Sequence, residues 1–222
     1  MAEFPASPLP AAEFFESWLP NAFAEADIPE EQRSVEAHIG VLLHGEGGGE
    51  WVMHVNEGAL RVSAETRSDC AFTYVQSVDH WRGALWEGKG GAIGAQSAQL
   101  FKPGSQAAKA APGQGAPSPQ ALEQMRTLDG VIRMAVSGAD GGDWHVDFKL
   151  GPGAIPEEPT TTLTISAEDA EAMAAGTLDP MAAFMQGKIM VAGDMALMMQ
   201  MQAIQMQAAA QAQQAGGGGT GA

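Results

Sequence analysis

The sequence predicts an α+β protein built from a mostly antiparallel sheet covered by helices, with this unit duplicated in tandem. Three observations support the prediction. Alternating apolar residues, typical of strands packed on one face, occur in both halves of the 222-residue chain. A segment rich in Pro, Gly and Ala separates the halves. The C-terminal part carries the start and stop signals of a helix, a short strand and a second helix.

The first predicted element is an N-terminal helix over residues 11–19. Its apolar stripe at helical spacing consists of Phe14, Phe15, Trp18 and Leu19. A helix with one apolar stripe is expected to pack on a sheet. Pro20 is expected to end it, because proline interrupts the hydrogen bonding of a helix interior.

Three strands and a helix are predicted next in the first half. Apolar residues alternate over residues 35–43, a Gly-rich turn follows, and residues 51–55 continue as the second strand of a hairpin. A third strand is expected over residues 72–75 and a helix over residues 78–87, which Gly88 ends. The C-terminal part of this half then departs from the pattern of the second half and is expected to be degenerate.

The segment between the halves, residues 103–119, is expected to be a linker because it has almost no apolar residues to bury. The predicted organisation is a first unit over residues 1–102 and a second unit over residues 120–215. A Gly-rich tail, residues 216–222, follows the second unit.

The second half repeats the strand pattern of the first. A strand is predicted over residues 131–136, followed by a Gly-rich turn and a strand that opens with an acidic residue and Trp144. The third strand is predicted over residues 162–165. The same order of strand, Gly-rich turn and Trp-led strand occurs in the first half, which supports the tandem duplication.

The Trp144 strand alternates strictly. Its apolar side faces one way with Trp144, Val146, Phe148 and Leu150. His145, Asp147 and Lys149 face the other way and are expected to be exposed to water, as in a sheet with one solvated face.

Two helices are predicted before the last strand. Ser166 caps the first helix, with Asp169 three residues on in a variant of the capping box. Asp179 caps the second helix and Pro180 suits its first position. Gly187 supplies the left-handed residue that ends it.

A short strand and a long helix complete the predicted fold. The strand covers residues 188–192, Gly193 allows a tight turn, and Asp194 caps a helix that starts at Met195. This helix consists mainly of Met, Ala, Leu, Ile and Gln. It is the best functional signal in the chain, because flexible Met side chains adapt to irregular apolar ligands at small packing cost.

Together, these C-terminal features resemble the sterol carrier protein 2 (SCP2) family. Members pair a strand ending in Ser with a helix ending in Gly, then carry Asp-Pro, Phe, Gly-Lys and Gly-Asp or Gly-Asn before an apolar last helix. The chain has these features at Ser166, Asp179-Pro180, Phe184, Gly187-Lys188 and Gly193-Asp194. The resemblance covers about the last hundred residues, a typical domain length, and implies two SCP2-like units with the second better matched.

The resemblance implies non-catalytic binding or carriage of an apolar ligand, such as a fatty acyl chain, phospholipid, sterol or isoprenoid. The ligand would lie in a hydrophobic tunnel that the last helix closes. The expected pocket walls are Phe148, Leu163, Ile165, Met173, Phe184, Met185, Ile189, Val191, Met195, Met198 and Met199. The same side chains are also explained as core, and the pattern alone does not separate the two roles.

An alternative hypothesis keeps the fold but fills the pocket. The Met-rich last helix then docks onto a partner protein or a second copy of the chain. The degenerate first half favours this alternative, since a fold kept for its architecture need not keep a tunnel.

The charge and the apolar pattern bear on partners and location. The net charge is -16 and neither half has a basic face, so no nucleic-acid partner is expected. No apolar run reaches the ~18 residues of a transmembrane helix, and the N-terminus lacks the basic region of a signal peptide. A cytoplasmic protein is therefore expected. Cys70, the lone cysteine, lies in an apolar run and is expected to be packed.

No catalytic residues, metal site or cofactor are expected. The histidines, His38, His44, His54, His80 and His145, form no closely spaced metal-binding pair along the sequence. One cysteine cannot supply a Cys-based zinc site. The sequence therefore predicts a protein that is not an enzyme.

Overall fold

A computed structural model describes residues 3–26, 36–65, 69–102, 119–138 and 142–216. Within these residues the strands form a single eight-stranded sheet with the order β3-β2-β1-β4-β6-β5-β7-β8. The strands are β1 (Ala37–His44), β2 (Gly49–Asn56), β3 (Ala59–Ser63), β4 (Phe72–Ser77), β5 (Gly130–Ser137), β6 (Trp144–Leu150), β7 (Thr161–Ser166) and β8 (Ile189–Gly193). β1 pairs with β4, and β5 with β7, in parallel, while the other neighbours are antiparallel. The predicted α+β class and mostly antiparallel sheet are confirmed.

Helices occupy the N-terminus, the middle and the C-terminus of the chain. They are α1 (Ala11–Glu13), α2 (Leu19–Ala24), α3 (Val78–Arg82), α4 (Gly91–Ala98), α5 (Pro119–Arg126), α6 (Ala167–Ala174), α7 (Pro180–Met185) and α8 (Met195–Gly216). Two π-helical turns, Phe14–Trp18 and Gly83–Glu87, extend α1 and α3, and a 3-10 turn, Gln99–Phe101, follows α4.

The core lies on one side of the sheet, which we call the helix face. The strand register places Val41, Tyr74, Val146 and Ile165 on this side, and all four are buried in the larger of two apolar clusters, the main core. The second cluster lies at the other end of the same face. It contains Ala37, Ala71, Phe72, Leu122, Met125, Leu150 and Leu197.

The N-terminal helix supplies the aromatic centre of the main core. Phe15 is fully buried and stacks on Trp51 and Trp81, with ring centroids 4.8 and 5.5 Å away. Trp51 donates from Nε1 to Oε1 of Glu16 at 2.8 Å, so the buried indole keeps a hydrogen-bond partner. The predicted packing of this helix on the sheet is therefore present.

The two halves of the sheet repeat one pairing pattern. In the first half, β1 is antiparallel to β2 and parallel to β4. In the second half, β5 is antiparallel to β6 and parallel to β7. A helix follows each of β4 and β7, and a serine caps it: Ser77 accepts from His80 N, and Ser166 accepts from Asp169 N.

The halves meet along β4 and β6, which pair antiparallel from Phe72 opposite Leu150 to Val75 opposite Asp147. The side chain of Gln76 extends this seam, because its Nε2 donates to the carbonyl of His145 at 2.6 Å. Both halves therefore belong to one continuous sheet.

The N-terminal helix continues beyond its predicted end at Pro20, as far as Ala24. The π-helical turn directly before the proline explains the difference. In this wider turn the Leu19 amide donates to the carbonyl of Phe14, and Pro20 occupies a position near the start of α2. The prediction that Pro20 ends the helix was therefore wrong.

Three elements were not predicted: β3, α4 and α5. β3 follows a two-residue turn in which Glu57 and Gly58 both have positive φ, and its Leu60 and Val62 pack against the main core. The last strand starts one residue later than expected, at Ile189. Residue 119 begins α5, whereas the rest of the predicted linker, the predicted strand start at 35 and residues 217–222 of the tail lie outside the described residues.

The face opposite the helices is only partly solvated. Thr73, Val75, Val131 and Lys149 are buried on this side of the central strands. Lys149 is 1% exposed, against the sequence expectation, because its Nζ donates to Asp129 Oδ1 at 2.9 Å and to the Leu150 carbonyl at 2.7 Å. Burying the ammonium group is feasible because its donors are satisfied.

Candidate functional site

The last two strands present an apolar surface on the helix face at one edge of the sheet. Leu163 of β7 lies opposite Val191 of β8, and Ile165 lies opposite Ile189. Met134 of β5 lies beside Leu163 in the parallel pairing. A row of apolar side chains therefore crosses three strands.

Helices α6 and α7 connect the two strands, and capped N-termini fix their starts. Ser166 accepts from the Asp169 amide at 3.1 Å and donates to Asp169 Oδ2 at 2.9 Å. Asp179 Oδ1 accepts from the Ala182 amide at 2.9 Å, and Pro180 occupies the first turn. The predicted caps of both helices are confirmed, and each satisfies a backbone donor that the helix leaves free.

Lys188 ties the start of β8 to the cap of α6. Its ammonium group donates to Asp169 Oδ1, the carboxylate that also binds Ser166. The hydrogen bond from Lys188 is the main interaction that lowers the pKa of Asp169, and the hydrogen bond from Ser166 lowers it further. The Gly-Lys signal in the sequence thus has a positioning role beside the apolar surface.

The last helix packs at the end of the sheet where β5 begins. Asp194 caps it, with Oδ1 2.7 Å from the Ala196 amide nitrogen. Leu197 is buried so close to Gly130 that a Cβ at this glycine would lie 2.7 Å from Leu197 Cδ2. Gln207 accepts a hydrogen bond from Gln124 of α5 at 2.9 Å. These contacts place α8 beside α5 and β7.

Four of the predicted ligand residues belong to the main core. Ile165 is buried there, and Phe148, Met173 and Ile189 are half-buried against the same cluster. Phe148 also contacts the second cluster, so it lies where the two clusters meet. These four side chains contribute to folding whatever else they do.

The seven other predicted residues lie outside the main core, and we refer to them together as the C-terminal apolar surface. Its floor is the half-buried pair Leu163 and Val191, which lie outside both apolar clusters of the described residues. Its remaining members, on α7 and α8, are Phe184, Met185, Met195, Met198 and Met199. The two helices contact β8 and β7, respectively.

The helix residues of this surface range from half-buried to highly exposed. Met198 is half-buried, whereas Met185 is 78% exposed and Met199 is 66% exposed. Phe184 and Met195 are also exposed. Where such exposed apolar side chains form a contiguous patch, the patch usually marks a ligand or partner contact.

Sequence reasoning omitted residues that complete the floor and hold α8. Met134 extends the row next to Leu163, and its signal was the alternation of β5. Leu197 and Ile204 are the buried anchors of α8, and their helical spacing marked them as one face. The pattern could not show which members of that face pack and which remain exposed.

Two further observations concern the surface and the helices of the described residues. A depression of about 420 Å³ lies beside the N-terminal helix, lined by Glu3, Pro5, Leu9, Glu13, Ser17, Trp18 and Asn21, and none of the predicted ligand residues lines it. In the described part of the chain, we find no helix with the length and apolar character required to span a bilayer.

Comparison with known proteins places residues 109–206 in a match to the model of the SCP-2 sterol transfer family. Rat sterol carrier protein 2 is 33% identical over 92 residues, covering 38% of this chain and 17% of the rat protein. Hydroxysteroid dehydrogenase-like protein 2 of Xenopus tropicalis is 32% identical over 87 residues, covering 37% of this chain and 21% of that protein. The match thus spans about a fifth of these curated relatives.

Among solved structures, the sterol carrier protein domain 2 of Helicoverpa armigera is 32% identical, covering 40% of this chain and 74% of that one, with a TM-score of 0.30. The matched residues include β5 to β8, the caps at Ser166 and Asp179, and the C-terminal apolar surface. Residues 109–206 of the chain are therefore similar to the SCP-2 sterol transfer family.

Proposed function

We propose that the second half of the chain binds and carries an apolar lipid-like ligand on the C-terminal apolar surface, without catalysis. The ligand class is a fatty acyl chain, phospholipid, sterol or isoprenoid. The observation that carries the proposal is the half-burial of Leu163 and Val191, apolar residues on the helix face that neither core cluster covers. The sterol transfer family match over the same residues supports it.

The energetics favour a large ligand. Covering apolar surface contributes about 25 cal/mol per Å², so about 300 Å² contributes roughly 7.5 kcal/mol. Association costs of about 4 kcal/mol or more oppose this gain. A ligand with a long chain or several rings therefore fits the surface better than a small polar metabolite.

The exposed Met residues at the edge of this surface, which we call its rim, explain how the surface could bind several different lipids. Met185, Met195 and Met199 have flexible side chains and polarisable sulfur atoms, so they can close over ligands of different shape. In this proposal Met198 and Phe184 flank the floor, and the core residues Phe148, Ile165, Met173 and Ile189 support it from beneath. A closed tunnel would form when the rim folds over the ligand.

The direct test is native mass spectrometry of the full chain before and after delipidation, with the released molecules identified. A discrete lipid mass that is lost on delipidation and regained on adding that lipid would support the proposal. A protein that takes up no acyl, sterol or isoprenoid probe would overturn it.

Two variants locate the site. We expect Leu163→Asn and Met198→Gln to reduce uptake of a fluorescent fatty acid, because each introduces a polar group that the ligand would cover. The matched control is Met190→Gln, since Met190 is 61% exposed and lies next to Val191 on the opposite face of β8. Equal losses in the control would argue against this surface as the site.

A second candidate function is docking of a protein partner or a second copy through α8. Met195, Met199 and Met206 are exposed and lie on one side of the helix at spacings of four and seven residues. Such a stripe is the usual contact of a helix that docks in a groove. Removing residues 195–222 would also remove the buried Leu197 and Ile204, so point variants separate the functions more cleanly.

The docking candidate has its own test. The variant Met206→Gln, which changes an exposed residue outside the C-terminal apolar surface, would weaken self-association, measured by analytical ultracentrifugation, while lipid uptake persists. Loss of lipid uptake without any change in association would favour the carrier function instead.

The proposal extends to the remaining expectations. The repeated strand pairing supports a tandem duplication with the boundaries predicted from the sequence, in which the first half is the degenerate copy. No reaction is proposed, because the floor of the surface consists of apolar residues that cannot transfer protons. A cytoplasmic location is proposed on the sequence argument alone.

A further inference from the structure

A cluster of two imidazoles and a carboxylate lies at the other end of the sheet, away from the apolar surface. His38 of β1 and His54 of β2 are register partners, with ring centroids 4.3 Å apart and planes at 81°. Glu36 lies two residues before His38, so both point to the face opposite the helices. One ligand atom from each of the three residues lies within 4.8 Å of the other two.

The hydrogen bonding of His54 singles out this cluster. Its Nε2 is enclosed but makes no hydrogen bond within the described residues, although 35% of the side chain is exposed. The nearest acidic atom, Glu36 Oε1, is 3.8 Å away, which is too far for a hydrogen bond. An enclosed nitrogen lone pair or N–H without a partner costs free energy that a bound ion would recover.

We propose that Glu36, His38 and His54 bind a divalent transition metal ion of the Zn²⁺ class. Imidazole nitrogens and one carboxylate are ligands that Zn²⁺ accepts, at about 2.0–2.2 Å, with water completing the coordination. Tetrahedral bonds of that length put ligand atoms about 3.3 Å apart. The ligand atoms of the three side chains now lie within 4.8 Å of one another. Rotation of the side chains would bring these atoms to the shorter spacing.

The composition of the cluster selects the class of ion. Ca²⁺ and Mg²⁺ prefer sites made of oxygen ligands, whereas imidazole suits Zn²⁺, Cu²⁺ and Ni²⁺. The net charge of -16 attracts cations in general. One cation works against the site: Arg61 of β3 is the register partner of His54. Ala71, which precedes β4 and donates its amide to the His38 carbonyl, carries no charge.

A second histidine pair in the chain provides an internal comparison. His80 and His145 have ring centroids 4.8 Å apart, nearly as close as the first pair. Nδ1 of His80 faces the His145 amide at 3.5 Å, and the nearest carboxylate on β6, Asp147, is bound by Arg133 at 2.7 Å through both oxygens. In the described part of the chain no carboxylate joins this pair into a metal-binding group, and the pair lies beside a guanidinium, so we expect it to bind Zn²⁺ weakly.

The test is isothermal titration calorimetry, in which the chelator-treated full chain is titrated with ZnCl₂. We expect one ion per chain, with affinity reduced at least about tenfold in His38→Ala and His54→Ala, since even indirect contacts to metal ligands are worth that much. Glu36→Gln should weaken binding less, and Arg61→Gln should strengthen it. His145→Ala and His44→Ala, which change histidines outside the cluster, should leave the affinity unchanged.

A second measurement keeps the proposal testable if a variant folds poorly. Co²⁺ in place of Zn²⁺ gives visible absorption bands that report nitrogen and oxygen ligands in a four- or five-coordinate site, and Glu36→Gln should alter these bands without unfolding the chain. Stoichiometry and affinity that are unchanged in His38→Ala, in His54→Ala and in Glu36→Gln would overturn the proposal. Equal loss in His145→Ala would overturn it as well, because the ion would then bind elsewhere.

Discussion

Lys188, which follows helix α7, donates a hydrogen bond to the carboxylate of Asp169. Asp169 lies in the first turn of α6, and its carboxylate also accepts a hydrogen bond from Ser166. Two of the short signals found in the sequence are therefore one structural unit. The lysine fixes the start of the edge strand β8 against the helix that precedes it. This arrangement holds Ile189 in the main core and Val191 on the floor of the C-terminal apolar surface.

The first prediction concerns acid stability through this ion pair. The pKa of Asp169 lies below 3.8 in the folded chain, so the pair stabilises the fold above about pH 4 and the contribution is lost as the pH falls through the folded pKa. Lys188→Gln should reduce this acid-dependent loss, measured by urea unfolding between about pH 5 and pH 2. Glu157→Gln, in an exposed loop, is the control, and an equal effect there would contradict the assignment.

The second prediction concerns His145, a base whose protonation at mildly acidic pH destabilises the fold. Burial is the main reason that the pKa of His145 lies below 6.5, and the Arg133 charge adds to it. As the pH falls through 6.5, the unfolded chain binds a proton before the folded chain does, so the free energy of unfolding decreases. Unfolding titrations at about pH 7.5 and about pH 5.5 should show a smaller difference in His145→Gln than in wild type. His44→Gln should retain the wild-type difference.

The third prediction concerns the buried ammonium group. In Lys149→Met the carbonyls of Leu150, Gly151 and Pro152 lose their shared donor, which sits 2.7, 3.3 and 3.1 Å from them. We expect a loss of about 1–3 kcal/mol in the free energy of unfolding. Arg82→Met removes an exposed cation and should change it by less than about 0.5 kcal/mol. Equal values for the two variants would show that the buried bonds contribute nothing.

The fourth prediction tests how the last helix packs against β5. Gly130 has φ of +153°, and a Cβ there would meet Leu197 Cδ2 at 2.7 Å and Thr160 Oγ1 at 3.0 Å. Gly130→Ala should push α8 from the sheet, with a cost of about 1–3 kcal/mol and faster amide exchange along the helix. The control variant is Gly142→Ala. Gly142 also has a positive φ, +93°, but an added Cβ there would have no atom within 4 Å. Similar exchange in both variants would assign the effect to backbone strain alone.

The local features of the fold were predictable from the sequence, because each depends on neighbouring residues. Alternation located the strands around Val41, Trp144 and Ile165, and the side-chain caps at Ser166 and Asp179 set the starts of two helices. The prediction that Pro20 ends the helix was wrong because helix propensity does not encode the π-helical turn before it.

Long-range pairing was beyond the sequence pattern. Nothing local indicates that β4 pairs with β6, since the partners Phe72 and Leu150 lie far apart in the chain. The same limit hid the proximity of His38 and His54, which the hairpin register brings together. In the candidate ligand site, the composition of α8 indicated an apolar helix but could not separate the buried Leu197 from the exposed Met199.

The seam between β4 and β6 has a consequence for how the chain can be divided. Each half supplies the strand that covers an otherwise bare sheet edge of the other, so a half made alone would expose a row of unpaired peptide groups. Separately expressed halves would therefore reassociate or aggregate rather than remain apart. The first half therefore contributes to the sheet of the second half through β4, independently of any ligand that either half binds.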